Sequence, residues 1–299
     1  MRSGKEQVEA YVEFGSEADT YDRNYRLDAG RYPDHVYRLR IFEDLLNTIK
    51  PATVLDAGCG SGVPLITFLK AGFDAYGFDR SPEMVEETKK RVRNSGFDES
   101  RVSLGDLDAF ERPMTTPFDV ACGLGSVYYT PNTVTTLRHL SGHVKEDGDL
   151  IFSLRNELFS LCSQNEYSAD YLLRNVFSIT KTSGELREGV LNFFSERYPK
   201  MNVTKLFENV DERAIKSHLH NPLTVEKELL APSGLRLEGL YYYHFHALPP
   251  VFEHTHQSEF YELSAQCENP TDWRGVVMAS CFVRSEEHTS ELQSPDHLV

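Results

Sequence analysis

The stretch "TVLDAGCGSGVPLITFLKAGFDAYGFDRS", Thr53 to Ser81, decides the fold. A compact apolar run leads into three glycines, Gly58, Gly60 and Gly62. The run after them, 63–72, reads as a helix, with Pro64 tolerated in its first turn and Gly72 beyond its end. A second apolar run, 74–79, closes on Asp79. Strand, glycine turn, helix and strand in this order form one repeat of a parallel sheet covered by helices. A backbone that passes close to a ligand needs glycine, because a side chain would block the approach or forbid the required φ. Glycine turns of this kind serve several nucleotide cofactors, so the glycines alone do not select one.

The same rhythm continues outward. Residues 81–96, "SPEMVEETKKRVRNSG", form the clearest helix, with Ser81 as cap, Pro82 at the first position, Glu83 at the positive dipole end and the basic residues late. Strands are expected at 102–107, 118–124 and 149–156, with a helix at 131–144 between the last two. A helix at 224–235 leads into strands at 236–248 and 275–283. The fold class is therefore α/β: a Rossmann-like, mostly parallel sheet of seven strands with an antiparallel last pair at its edge and helices on both faces. Residues 1–50 are helical in pattern and form an N-terminal lid. The core comprises 51–156 and 223–284, and 157–222 is an inserted cap. Within the cap a helix is expected at 168–179, "SADYLLRNVFSI", and strand-like runs at 189–198 and 202–210. Ligands of such sheets sit outside the carboxyl ends of the strands, which is where lid and cap would close.

Composition bounds the function. With 299 residues, 40 % of them hydrophobic, the chain can bury a sizeable core. No apolar stretch approaches the roughly 20 residues of a membrane helix, and the N-terminus lacks the apolar centre of a secretory signal. The five cysteines never form a C-x-x-C pair, consistent with reduced thiols and a cytoplasmic location. A formal net charge of −15 argues against a nucleic-acid partner, which needs a basic surface. The tail "RSEEHTSELQSPDHLV", from Arg284, has no apolar periodicity and resembles the in-frame translation of a short-read sequencing adapter. Residues 285–299 are accordingly expected to carry no fold. Leaving out 284–299, with one arginine and four acids, still gives −12.

The spacing of the glycines is G-x-G-x-G rather than the G-x-G-x-x-G of the dinucleotide fingerprint. Asp56 stands inside the turn sequence, where it would repel a pyrophosphate and attract an ammonium group. That combination points to S-adenosylmethionine, whose amino-acid end carries one positive and one negative charge. The residues from Val54 to Gly62, "VLDAGCGSG", resemble the glycine motif of the class I S-adenosylmethionine-dependent methyltransferases, small-molecule type, and the likeness extends over the whole expected sheet, with Asp79 and "GDL" at 105–107 in register. The resemblance implies named roles. Asp56, Gly58, Cys59 and Gly60 would border the methionine part of the cofactor, Gly62 would complete the cofactor-binding turn, and Asp79 would accept from both ribose hydroxyls. Arg80 and Met84 would flank the adenine, with Asp106 and the Leu107 amide at its amino edge. Gly123 and Leu124 would meet the methionine end. "TYDRNYRLDAGRYP", Thr20 to Pro33, is similar to the opening segment of small-molecule methyltransferases, in which a Tyr and an Arg close over the cofactor. Tyr21 and Arg31 are the candidates, Arg31 for the cofactor carboxylate, with Tyr25 and Tyr32 competing for the tyrosine role.

Methyl transfer from a sulfonium asks the protein mainly to align the acceptor and exclude water, and an oxygen acceptor also needs a general base. The sequence after the fourth strand, "GLGSVYYTP", lacks the Asn/Asp-Pro-Pro-aromatic motif common in enzymes that methylate nucleic-acid or protein nitrogens. A small-molecule O or N acceptor is therefore expected, with a protein or nucleic-acid methyltransferase, or a non-catalytic cofactor-binding module, as alternatives. A nicotinamide oxidoreductase would show the longer glycine spacing and a second catalytic domain. His244, His246 and Tyr128 are candidate catalytic groups, and Tyr129, His139 and His143 candidate acceptor contacts. His218 and His220 are further candidates. The histidines lack the cysteine or third-ligand pattern of a zinc site, so no metal is expected.

Overall fold

The computed structural model describes residue 25 and residues 31–109, 117–177, 179–181, 183–199 and 217–288. Among the described residues eight strands form one sheet: β1 (Thr53–Ala57), β2 (Asp74–Asp79), β3 (Val102–Leu104), β4 (Phe118–Gly123), β5 (Val144–Asn156), β6 (Leu219–His220), β7 (Leu235–Phe245) and β8 (Ala279–His288). Their order is β3-β2-β1-β4-β5-β8-β7, and the two-residue β6 joins the carboxyl end of β5 in parallel. β1 to β5 are mutually parallel, whereas β8 runs antiparallel between β5 and β7. Chain order reverses direction at β1, with β2 on one side and β4 on the other, which makes the carboxyl ends of β1 and β4 the switch point where such sheets bind ligands.

Four longer helices cover the parallel half: α1 (Asp34–Ile49), α2 (Val63–Lys70), α3 (Pro82–Asn94) and α4 (Thr133–Ser141). α3 starts as expected, with the Met84 amide donating to Ser81 Oγ at 3.3 Å, Pro82 and Glu83 in the first turn, and Arg91 and Arg93 in the last. Strand residues alternate between two cores. Ile41, Phe42 and Leu46 of α1, with Leu65, Phe68, Val85 and Val92, pack on one face against Val54, Val120 and Ile151. Leu137 and Leu140 of α4, with Val225 and Leu229, pack on the other against Leu55, Ala121 and Leu154. Among the described residues no helix is long and apolar enough to cross a membrane.

Three expectations are corrected. The run 189–198 is not a strand; it lies in α5 (Gly184–Arg197), capped by Ser183. Val190, Phe194 and Tyr198 recur every four residues and join one small cluster with Ala169 and Leu173, which is helical spacing. The chain at 275–278 is a helical turn, and the last strand begins at Ala279. That strand also continues through residues 285–288, whose backbone pairs with Asp149–Ile151 of β5 and Leu235–Gly239 of β7. The first four residues of the expected tail thus complete ladders whose polar groups would otherwise stand unpaired. The expected strand at 202–210 lies outside the described residues.

Candidate functional site

The glycine turn leaves β1 at its carboxyl end and is shaped by three positive φ angles, 78° at Gly58, 53° at Gly60 and 83° at Gly62. A Cβ at Gly58 would stand 2.6 Å from Ser126 Cβ, and one at Gly62 2.5 Å from a Thr88 methyl, so these two glycines let the turn pack against its neighbours. At Gly60 a Cβ would meet nothing within 4 Å, so the turn is open on that side. The turn is held from β2. The Gly58 and Cys59 amides donate to the Phe78 carbonyl, each at 2.9 Å, and the Gly60 amide donates to Asp79 Oδ2 at 2.9 Å. Asp79 Oδ1 accepts from the Ser81 amide at 2.9 Å. Both carboxylate oxygens are thereby fixed at the carboxyl end of β2 and keep lone pairs for a ligand.

Asp56 lies beneath this turn with no exposed surface. Neither of its oxygens makes a hydrogen bond of ordinary geometry. Burial pushes its carboxyl up to about 7, helped by the Asp79 charge and opposed by Arg38 and weakly by the Leu65 amide. Arg38 comes from α1 and is 4 % exposed. Its Nη2 donates to the Tyr25 hydroxyl at 3.1 Å, while its Nε has no partner. Gly125, at φ 82°, gives the guanidinium its room, since a Cβ there would fall 2.3 Å from Arg38 Nη1. The loop carrying Gly125 is tied down on both sides: its amide donates to Ser153 Oγ at 2.8 Å, and Ser126 Oγ donates to the Ala57 carbonyl at 2.7 Å.

Arg38 was not among the residues singled out from the sequence. Arg31, which was, is exposed and pairs with Asp34 at 3.3 Å. Tyr21 lies outside the described residues. Of its rivals, Tyr25 meets Arg38, whereas Tyr32 donates to Glu268 at 2.5 Å and stacks on His244. The signal for Arg38 was present in the pattern: buried residues 38, 41, 42 and 46 form one helical stripe, and only one of them is charged. Gly123 ends β4, Leu124 follows it, and both are buried, as are Met84 and Leu107, which follow β2 and β3 in the chain. Arg80 is exposed. Asp106 forms a turn, accepting from the Asp108 amide at 3.1 Å.

The candidate catalytic and acceptor residues separate. Tyr128 and Tyr129 form the turn after β4 with rings 4.6 Å apart, and Arg155 lies 5.3 Å over the Tyr128 ring. His139 and His143 touch each other through Nε2 at 3.2 Å, but the His143 carbonyl accepts from the Phe118 amide at the start of β4. That is the amino edge of the sheet, about 16 Å from the glycine turn along a five-residue rise, so neither reaches an acceptor there. His244 near the end of β7 and His246 just beyond it stand at the carboxyl edge, four strands from β1, or about 19 Å across the sheet. His246 is wedged beside Phe159 and Phe260 with neither ring nitrogen partnered, and His244 stacks 5.0 Å from Tyr32. Burial holds both down to about 3, which makes them poor proton acceptors at neutral pH. The His218 amide donates to the Tyr128 carbonyl at 2.8 Å, and His220 pairs along β5 at Asn156. Among the described residues no three His, Cys, Asp or Glu side chains are grouped to hold a metal.

A family model described as a methyltransferase domain matches residues 27–199, which contain the glycine turn, Arg38, Asp79 and β1 to β5. The chain belongs to the methyltransferase domain family. Among its relatives is the ubiquinone biosynthesis O-methyltransferase of Actinobacillus pleuropneumoniae, 26 % identical over 140 residues, covering 46 % of this chain and 60 % of that protein. A protein of Haemophilus influenzae is 30 % identical over 126 residues, covering 41 % and 49 %. The chain thus spans about half to three fifths of these relatives' length. The magnesium protoporphyrin IX methyltransferase of Synechocystis, solved with S-adenosylhomocysteine bound, shares the fold: TM-score 0.52 at 14 % identity, over 95 % of this chain and all of that one. The methyltransferase domain therefore has its glycine turn, Asp56, Asp79 and Arg38 on one edge of a family fold.

Proposed function

We propose that this chain binds S-adenosylmethionine across the carboxyl ends of β1, β2 and β4 and transfers its methyl group to an O or N atom of a small molecule. The observation that carries this reading is Asp56, a fully buried carboxylate without a hydrogen-bond partner beneath an open glycine turn. A buried, unpartnered acid is costly unless a ligand completes it. The cofactor's ammonium does so, and a pyrophosphate would not. Arg38, with Tyr25, holds the cofactor carboxylate, taking the role first expected of Arg31. Asp79 accepts from the ribose hydroxyls; Met84 and Leu107 pack the adenine, with Arg80 and Asp106 at its rim. Cys59, Gly123 and Leu124 line the methionine end.

When bound, the cofactor supplies a methyl group already activated on its sulfonium. The chain's own residues then have to orient the acceptor and keep water out. The turn at Tyr128 and Tyr129 is the platform for the acceptor, and residues 157–199 serve as cap, whereas α1 packs on a face of the sheet, so a lid cannot include residues 34–49. The net charge of −15 favours a small acceptor over nucleic acid, as do the relatives named as ubiquinone biosynthesis O-methyltransferases. The test is calorimetric titration with S-adenosylhomocysteine and with NADH. S-adenosylhomocysteine binds and NADH does not, and Asp79→Ala weakens the former at least tenfold. Binding of NADH in its place overturns the reading.

A further inference from the structure

Arg155 is the penultimate residue of β5, beyond the last rung that β5 shares with β4, and so projects at the carboxyl edge. It is partly buried, and its Nε is fully buried without a partner. Its Nη2 reaches the Tyr129 hydroxyl only at 3.5 Å, the outer limit of a hydrogen bond, and one face of the guanidinium lies over the Tyr128 ring. Among the described residues no carboxylate lies within ion-pair distance of it. This holds in a chain with 46 acidic and 31 basic residues, where acids are in excess. The groups that act on its charge are the Tyr128 and Tyr129 hydroxyls and the Cys281 thiol rather than a carboxylate.

Tyr128 stands between two such cations, its hydroxyl feeling both Arg38 and Arg155. Arg38 faces Gly125 and Asp56, on the side of the glycine turn. Arg155 lies on the other side, toward β8 and β6, where Leu219 pairs with its backbone. A guanidinium stays charged at any accessible pH and matches a planar two-oxygen anion through two parallel N–H bonds. With one arginine assigned to the cofactor's carboxylate, the second has no anion among the described residues.

We propose that Arg155, with Tyr129, is the anchor for the methyl acceptor, and that the acceptor carries a carboxylate. The proposal rests on the methyltransferase reading for the word acceptor, but the anion site itself does not. An acceptor carboxylate at the Nε–Nη2 edge satisfies the orphaned Nε and replaces the long contact to Tyr129, while the Tyr128 ring backs the guanidinium. Arg155 here positions the acceptor and takes no part in bond making.

The probes are benzoate and its neutral isostere benzamide, titrated by ligand-observed NMR with and without saturating S-adenosylhomocysteine. Benzoate is expected to bind at least tenfold more tightly than benzamide. Arg155→Gln brings the two within twofold of each other, and Arg155→Lys, which keeps the charge but loses the fork, lowers the preference at least threefold. S-adenosylhomocysteine affinity changes by less than twofold in both variants. Equal binding of the two probes to the parent protein overturns the proposal, as does a carboxylate preference that survives in the variants; Arg155→Lys decides if Arg155→Gln does not fold. Benzoate binding through Arg155 without any binding of S-adenosylhomocysteine would leave the anion site standing and remove the methyltransferase reading.

Discussion

Raising the pH from 6 to 8 should tighten S-adenosylhomocysteine binding about tenfold, and Asp56→Asn should remove that dependence. Burial lifts the Asp56 carboxyl from 3.8 to about 7. A raised acid is neutral in the folded protein while its unfolded counterpart is already ionised. Its effect on stability is therefore nil below about pH 4 and grows more unfavourable as the pH rises toward 7, reaching about 4 kcal/mol for a shift of ~3 units. A ligand ammonium beside the carboxylate reverses this, because it favours the ionised form. Only the ionised fraction then binds well, and that fraction is ~0.1 at pH 6 and ~0.9 at pH 8 for a group titrating near 7. Calorimetry at half-unit steps reads the profile directly, and runs in two buffers of different ionisation enthalpy report the proton released on binding. In Asp56→Asn the affinity is lower and flat. A flat profile in the parent protein would refute the assignment of Asp56 to the ammonium.

Two further outcomes follow from the same geometry. Gly125→Ala forces a Cβ to within 2.3 Å of Arg38 Nη1 at a φ of 82°, so it should cost about 1–3 kcal/mol of stability and weaken S-adenosylhomocysteine binding at least tenfold, read by thermal melting and titration; an unchanged affinity would remove Arg38 from the cofactor site. His35, His244 and His246 are held down to about 3 and His220 to about 4, chiefly by burial. Each is neutral when folded and takes a proton when unfolded below about 6.5, so stability is lost as the pH falls through that value. His246→Phe, a ring of similar size between Phe159 and Phe260, should reduce the slope between pH 6 and 4.5 by about 1.4 kcal/mol per unit in denaturant titrations. An unaltered slope would mean that His246 titrates normally.

The central part of this architecture is legible in the sequence because local chemistry and tertiary demand agree there. Ser81, Pro82 and Glu83 start α3 wherever it packs, and Gly58, Gly60 and Gly62 announce a turn only glycine adopts cheaply. Elsewhere the two part company. "GVLNFFSERY" is rich in aromatic and branched residues, which suits a strand, yet the decisive feature is the four-residue recurrence of Val190, Phe194 and Tyr198. Residues 285–288 have no periodicity of their own, and their conformation is dictated by the open edges of β5 and β7. The histidines mislead for a related reason. His244 and His246 share a neighbourhood, but what sets their chemistry is burial against Tyr32, Phe159 and Phe260, which a list of residue types does not contain.

On the proposed cofactor site, Arg38 and Asp56 together would make the edge select a zwitterion rather than a simple ion. The two are close enough for Arg38 to lower the Asp56 carboxyl, yet they do not bond: both Asp56 oxygens and Arg38 Nε lack partners. A direct bridge would have satisfied both at once, and the chain keeps them apart by giving Arg38 to Tyr25 and to the bare backbone at Gly125. Two opposite charges held separate in a buried place are unfavourable in the empty protein. They become favourable only when a ligand with an ammonium and a carboxylate at matching separation fits between them. A lone anion would satisfy Arg38 and repel Asp56, and a lone cation would do the reverse. On this proposal, selectivity for an amino-acid end would come from the absence of the Arg38–Asp56 bond, and a variant that closes it by a longer acid, Asp56→Glu, should gain stability while losing S-adenosylhomocysteine binding.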